Sequence, residues 1–183
     1  MTIITDEQVA YINNGGVIAY PTSTLPGLGC LPTKEGLDTL FELKSRSADK
    51  PVSIGVASLD QVAHMVEIDP RIVEFVDAFP RGGLSVIYPA QQLLDARIGG
   101  QSVAIRVFDH PSARALALAV GPVTATSANE AGEEPANTVA EAASELGLPD
   151  VAVVAGNRET GPGSTFVKID FDSDEPLVTI IRE

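Results

Sequence analysis

A chain of 183 residues with 44% hydrophobic residues, 16 glycines and 13 prolines has the length of one globular domain with a proper core and many turns. Its 25 acidic residues oppose 12 basic ones, and a net charge of −13 argues against a broad nucleic-acid binder, whose affinity comes from many lysines and arginines along a phosphate backbone. The single cysteine, Cys30, excludes an internal disulfide, and two histidines, His64 and His110, supply no cluster of metal-ligand spacing.

The amino-terminal stretch carries Asp6 and Glu7 rather than a basic patch ahead of an apolar run, and no segment approaches bilayer-spanning length. A cytoplasmic protein with no membrane partner is therefore expected. Residues 6 to 14 read as a helix stopped by Gly15-Gly16, and Val17-Ile18-Ala19-Tyr20 as a buried strand ended by Pro21. Leu37, Leu40, Phe41 and Leu43 space one apolar face along a helix over 34 to 44, and Val52 to Val56 resumes as strand after Pro51. Two short helices are expected between Asp60 and Ala78, then strands at Leu84 to Tyr88 and Ser102 to Val107.

His110-Pro111 opens a further helix closed by Gly121-Pro122, and Val123 to Thr126 is a strand. Thr138-Val139-Ala140-Glu141 matches a capping box for a helix ending near Gly147. Strands near 151 to 154, 164 to 169 and 177 to 181 follow. The alternation of strand-length apolar runs with amphipathic stretches predicts an α/β fold over residues 1 to 183, one domain in which helices cover a mixed sheet.

Three polar clusters fall where strands end, the usual place for ligands in open α/β sheets. The first is Pro21-Thr22-Ser23-Thr24-Leu25-Pro26-Gly27-Leu28-Gly29, a hydroxyl run followed by glycines that admit close backbone approach; its alternative is a capped turn. The second joins Lys44, Arg46 and Lys50, which makes a basic fork for a polyphosphate or merely complements a helix dipole. The third is Thr124-Ala125-Thr126-Ser127-Ala128-Asn129 with Gly132, whose hydroxyl and amide groups suit ribose or phosphate. No G-x-S-x-G elbow surrounds Ser127, which discounts a hydrolase nucleophile. Neither a G-x-x-x-x-G-K-[ST] loop nor a G-x-G-x-x-G after the first strand is present, so any nucleotide is held by neither common glycine loop.

In this order the clusters resemble the YrdC/Sua5 family of threonylcarbamoyl-AMP synthases. Tyr20-Pro21-Thr22-Ser23-Thr24 with Gly27-Leu28-Gly29 is similar to its Y-P-T-x-T-x-x-G-L-G opening, and Lys44-Ser45-Arg46 through Lys50-Pro51 to its K-x-R segment. Val103-Ala104-Ile105-Arg106 with Asp109-His110-Pro111 resembles the A-V-R-x-P-x-H-P region, and Ser127-Ala128-Asn129 with Gly132 resembles S-A-N-x-S-G. Gly163-Ser164-Thr165 and Ile180-Ile181-Arg182 are similar to its closing G-x-x-S-T-V and I-x-R elements. The chain departs from the pattern in places: Pro26 stands where an aromatic residue is common, Gly55 where histidine is frequent, and the runs Pro80 to Ser85, Glu130-Ala131 and Gly161 to Thr165 also differ.

The resemblance implies a twisted mixed sheet with a concave basic cleft that binds ATP with Mg²⁺, L-threonine and bicarbonate or CO2, without a tightly bound metal or organic cofactor. The product would be threonylcarbamoyl-AMP, passed to separate transfer proteins for the threonylcarbamoyladenosine modification of tRNA. By the same resemblance Lys44, Arg46, Lys50, Ser102, Ser127, Asn129 and Arg182 hold the nucleotide, and Thr24, Arg106, Ala125 and Ser164 face threonine or its carbamate. No residue identifies itself as the general base, and direct tRNA contact is left open. The chain ends at Glu183, like the short form of the family. Two other readings compete: a noncatalytic RNA-binding or ribosome-associated module, and carbamoyl transfer as in the related hydrogenase-maturation domain, whose zinc-finger and acylphosphatase regions are lacking here.

Overall fold

The computed structural model describes residues 4–79, 82–156, 163–170 and 177–182. Helix α1 (Asp6–Asn13) starts at Thr5, whose side chain accepts from the Gln8 amide while the Gln8 side chain accepts from the Thr5 amide. This capping box satisfies amide donors that the first turn would otherwise leave open. Strand β1 (Ile18–Tyr20) follows, and its whole length is buried.

The next strand, β2 (Gly27–Gly29), lies inside the hydroxyl-glycine run and was not expected as a strand. Glycines are required there because a Cβ on Gly29 would sit 2.7 Å from the Thr124 carbonyl oxygen and one on Gly27 2.8 Å from the Tyr20 ring. Helix α2 (Lys34–Leu43) buries Leu37, Leu40 and Phe41, as its apolar spacing predicts, and β3 (Ser53–Val56) is fully buried. Only one of the two short segments between 60 and 78 is an α-helix, α3 (Pro70–Asp77); the other is a 3-10 turn at Leu59–Val62.

Strands β4 (Leu84–Pro89) and β5 (Ser102–Val107), helix α4 (Pro111–Val120) and strand β6 (Val123–Ser127) match the sequence expectation closely. Helix α5 (Val139–Glu145) carries the expected capping box at Thr138. The segment expected as a strand near 151 to 154 is instead a 3-10 turn, Asp150–Ala152, followed by one bridge from Val153 to Ala19. Pro149 and Asp150 favour the turn, and only the Val154 amide, donating to the Ala19 carbonyl at 2.9 Å, then finds a place beside β1. Strands β7 (Thr165–Asp170) and β8 (Leu177–Arg182) close the chain.

The eight strands of the described residues form one mixed sheet in the order β1-β2-β6-β3-β5-β4-β7-β8. The β3–β5 and β4–β7 pairs are parallel and the other five are antiparallel. Alternation along the strands splits the core. Leu28, Ile54, Val86, Val103 and Ile105 join Leu37 and Leu40 of α2 in one cluster. Ile18, Tyr20, Phe108 and Val123 join Ile12 of α1 and Leu116 of α4 in the other. Among the described residues no helix is long and apolar enough to cross a membrane.

Candidate active site

The register of the sheet decides what meets across it. Gly55 of β3 pairs with Arg106 of β5, Arg106 with Ser85 of β4, Ser85 with Phe166 of β7, and Phe166 with the Arg182 position of β8. Paired residues project to the same side of a sheet, so five strands distant in sequence present one lateral row on one face. Over this row lies a cavity of about 420 Å³, walled by Thr22, Thr24 and Pro26 from the hydroxyl run and Arg46 and Pro51 from the basic loop. Ala125, Thr126 and Ser127 at the end of β6 and Gly163, Ser164 and Ile181 complete the enclosure.

Arg106 lines this cavity. Its side chain is 8% exposed, its Nε donates to the Gly82 carbonyl at 2.8 Å, and one terminal nitrogen donates to the Thr24 hydroxyl at 2.9 Å. Among the described residues no carboxylate pairs with it. Burial, only partly offset by Tyr20, pulls its pKa below the ordinary arginine value, although a guanidinium stays charged across the accessible pH range. A charge taken from water without a counter-ion is costly unless something negative arrives. The surrounding hydroxyls suit the same guest: Thr22 Oγ1 lies 3.2 Å from Thr24 Oγ1, and Ser85 Oγ lies 3.1 Å from Ser164 Oγ. The arrangement can bind a small carboxylate or carbamate.

Six residues expected at a ligand site do line this cavity: Thr24, Arg46, Arg106, Ala125, Ser127 and Ser164. The basic fork, however, does not form as a unit. Lys44 is 1% exposed and is not among the lining residues; its Nζ donates to the carbonyls of Ser127 at 2.5 Å and Asn129 at 2.6 Å. Arg46 reaches the cavity while donating to the carbonyls of Lys50 at 2.6 Å and Pro51 at 3.1 Å, which folds the loop back on itself. Lys50 is exposed outside the lining.

Ser102 is exposed at the start of β5, opposite Pro89, four residues from Arg106 and hence about 13 Å along the strand. The structure does not bring it to the cavity. Asn129 faces a separate surface hollow with Glu130 and Glu133; its amide donates to both their carbonyls, and its buried Oδ1 meets no donor among the described residues. The side chain of Arg182 lies outside the described residues.

Sequence reasoning missed Ser53, Ser85 and Phe166. A usable signal existed for the serines: both interrupt buried apolar strands, and a hydroxyl inside such a run needs a partner, found here in the Ala125 carbonyl at 3.1 Å and in Ser164. Phe166 gave no such signal, since an aromatic residue in a strand is ordinary.

Burial, with the Arg46 charge second, lowers the Lys44 pKa from 10.5 to about 8. Between those values the unfolded chain holds more protons than the folded one, so this residue makes stability rise with pH across that window. Urea melts at about pH 7.5 and about pH 10 should therefore show the wild type gaining stability relative to Lys44→Met. A pH-independent difference would contradict the shift.

Among the described residues, four further cations are turned onto protein acceptors rather than toward a nucleic-acid face. Arg97 pairs with Asp38 at 2.6 Å and Asp95 at 2.8 Å, Arg71 with Asp69 at 2.7 Å, and Lys34 with Asp38 at 2.6 Å. Arg114 is turned onto the carbonyls of Ala57 and Phe108. Cations neutralised in this way release few counterions from a phosphate backbone, so an RNA-binding module is not favoured.

The Sua5/YciO/YrdC family model, described as telomere recombination, matches residues 10–183. The chain belongs to the Sua5/YciO/YrdC family. Relatives include the threonylcarbamoyl-AMP synthase of Aliivibrio fischeri, 34% identical over 163 residues and covering 85% of this chain and 87% of that one. The protein of the same name from Marinobacter nauticus is 38% identical over 131 residues, 68% of this chain and 69% of its own. Among solved structures, P. abyssi Sua5 complexed with L-threonine superposes with a TM-score of 0.79 at 27% identity, over 93% of this chain and 51% of that one. This chain thus spans about half the length of that Sua5. The fold expected of a Sua5/YciO/YrdC member, a mixed sheet with helices on its faces and a concave cleft, is the fold observed.

Proposed function

We propose that this chain is an L-threonylcarbamoyladenylate synthase, a nucleotidyltransferase that makes threonylcarbamoyl-AMP and pyrophosphate from L-threonine, bicarbonate or CO2, and ATP. The observation that carries the reading is Arg106, buried among threonine and serine hydroxyls in the lining of a 420 Å³ cavity and without a carboxylate partner among the described residues. Curated relatives bear the name of this activity, and the Sua5 neighbour was solved with L-threonine.

In this reading Arg106, Thr24 and Ser164 hold the carboxylate or carbamate end of threonine, with the backbone at Ala125 as a further contact. The threonine amine, once deprotonated, adds to CO2. An oxygen of the resulting carbamate then attacks the α-phosphorus of ATP as the bond to the pyrophosphate oxygen breaks. Both partners are anions, so the task is charge neutralisation and alignment rather than supply of a protein nucleophile. Arg46 and Ser127 at the cavity wall are positioned for phosphate oxygens, with Lys50 on the same loop and Asn129 and Arg182 nearby in the motif order. Mg²⁺ enters bound to the ATP phosphates, as part of the substrate, and shares in offsetting their charge. The product passes in the cytoplasm to separate proteins that transfer the threonylcarbamoyl group to tRNA.

A substrate-omission assay tests this. With ATP, bicarbonate and L-threonine together, pyrophosphate and the adenylated product should appear in equal amounts. Leaving out any one of the three should stop both. Product formation that persists without threonine or without bicarbonate would overturn the assignment.

A further inference from the structure

The basic segment contains one lysine whose position does not suit contact with a ligand. Lys44 follows α2, is 1% exposed, and places its ammonium between two carbonyls of a single loop, Ser127 at 2.5 Å and Asn129 at 2.6 Å. Its own carbonyl accepts from the Ala131 amide of the same loop at 2.9 Å. Both ends of one residue thus grip residues 127 to 131, about 85 positions away in sequence. On the other side of that loop, the Ala128 amide donates to the Pro26 carbonyl at 2.8 Å, and Ser127 lines the cavity.

We infer that Lys44 is a positioning residue that holds the Ser127–Ala131 loop in its ligand-binding shape through its carbonyl contacts, rather than a phosphate ligand. Two carbonyl dipoles that converge would repel each other without a cation between them, and a buried ammonium must place its donors on acceptors. Each requirement satisfies the other. The consequence is a fixed carbonyl direction at Ser127 and Asn129, which sets where the Ser127 hydroxyl sits on the cavity wall. Because Arg46 lies two residues on and does line the cavity, the two cations of one short motif divide the work, one internal and one facing ligand. The inference rests on the proposed nucleotide site.

The test separates the two roles and separates this inference from the activity itself. Amide hydrogen exchange is measured on ligand-free wild type and on Lys44→Met, with Lys44→Gln as a second variant that keeps a polar donor if the first folds poorly. Exchange within residues 127 to 131 should rise about tenfold or more, because hydrogen bonds to a charged group are lost. This arm needs no substrate, so it stands if the proposed reaction fails. In the second arm, the affinities of ATP, ADP and AMP are compared by calorimetry. A distorted loop should weaken all three by similar factors. Unchanged exchange in the loop, or a loss confined to ATP and ADP with AMP untouched, would overturn the positioning role and make Lys44 a phosphate ligand.

Discussion

Replacing Arg106 by methionine should sharply reduce threonylcarbamoyl-AMP formation at subsaturating threonine while leaving the melting temperature unchanged or higher. Arg106 is 8% exposed, and among the described residues its guanidinium faces hydroxyls and one carbonyl but no carboxylate. Removing one partner of a buried, hydrogen-bonded charge pair costs about 2–5 kcal/mol, so the KM for threonine should rise roughly thirtyfold to several thousandfold. The stability effect has the opposite sign because the folded protein no longer holds an uncompensated buried charge, and methionine keeps most of the side-chain volume. Steady-state kinetics with threonine and ATP varied separately, beside a thermal melt, read both. If the melting temperature fell as steeply as activity, Arg106 would be a structural group and the carboxylate site would lie elsewhere.

The largest expected effect on stability belongs to Gly55→Ala. A Cβ at this position would fall 1.9 Å from Cζ of Phe108 and 2.6 Å from two further ring carbons. Phe108 cannot yield easily: it is 2% exposed and packs edge-on against Tyr20 at 5.6 Å between centroids. Tyr20 is in turn fixed by a 3.0 Å hydrogen bond from its hydroxyl to the Thr124 carbonyl. Overpacking of a filled core costs about 1–3 kcal/mol, and so deep an overlap belongs at the top of that range. For a chain of this size, about 3 kcal/mol lowers the melting temperature by roughly 6–12 °C.

The double variant Gly55→Ala, Phe108→Leu should recover much of that loss, because the smaller side chain vacates the collision. A double-mutant cycle would show the coupling directly. A single-variant loss under about 2 °C would mean that the ring has room to move after all. The same geometry accounts for the glycine where family members often carry histidine. Phe108 fills the space above position 55, so any side chain there needs a different residue at 108.

Most of the elements were legible because their signals are local. The capping box at Thr138 brings both partners within three residues, and the apolar spacing of Leu37, Leu40 and Phe41 is set by the helix repeat itself. The failures are equally physical. Strand β2 contains two glycines and one leucine, a composition that reads as a turn. It is a strand because β1 and β6 flank it so closely that only glycine fits. The segment after Pro149 had a strand-like composition, but its neighbour β1 could offer it no more than one bridge.

The candidate site divides along the same line. Short runs whose residue types carry their own chemistry pointed to Thr24, Arg46 and Ser127, and the family resemblance added Arg106 and Ser164. The fate of the basic trio was not available there, since three cations within seven residues look equivalent on paper. Their environments differ only after folding: Lys44 is drawn under the end of β6, Arg46 is braced against its own loop at the cavity, and Lys50 stays in solvent.

By itself the sequence determined the class of fold, the run of elements and the kinds of groups a ligand would meet, for these follow from periodicity, turn chemistry and residue type within a few positions. Only the tertiary structure decided that Arg106 stands buried without a counter-ion among the described residues, that Gly55 lies beneath Phe108, and that Ser85 joins Ser164. Those facts depend on strand register, and register is set by how whole faces of a sheet pack together rather than by any one stretch of chain.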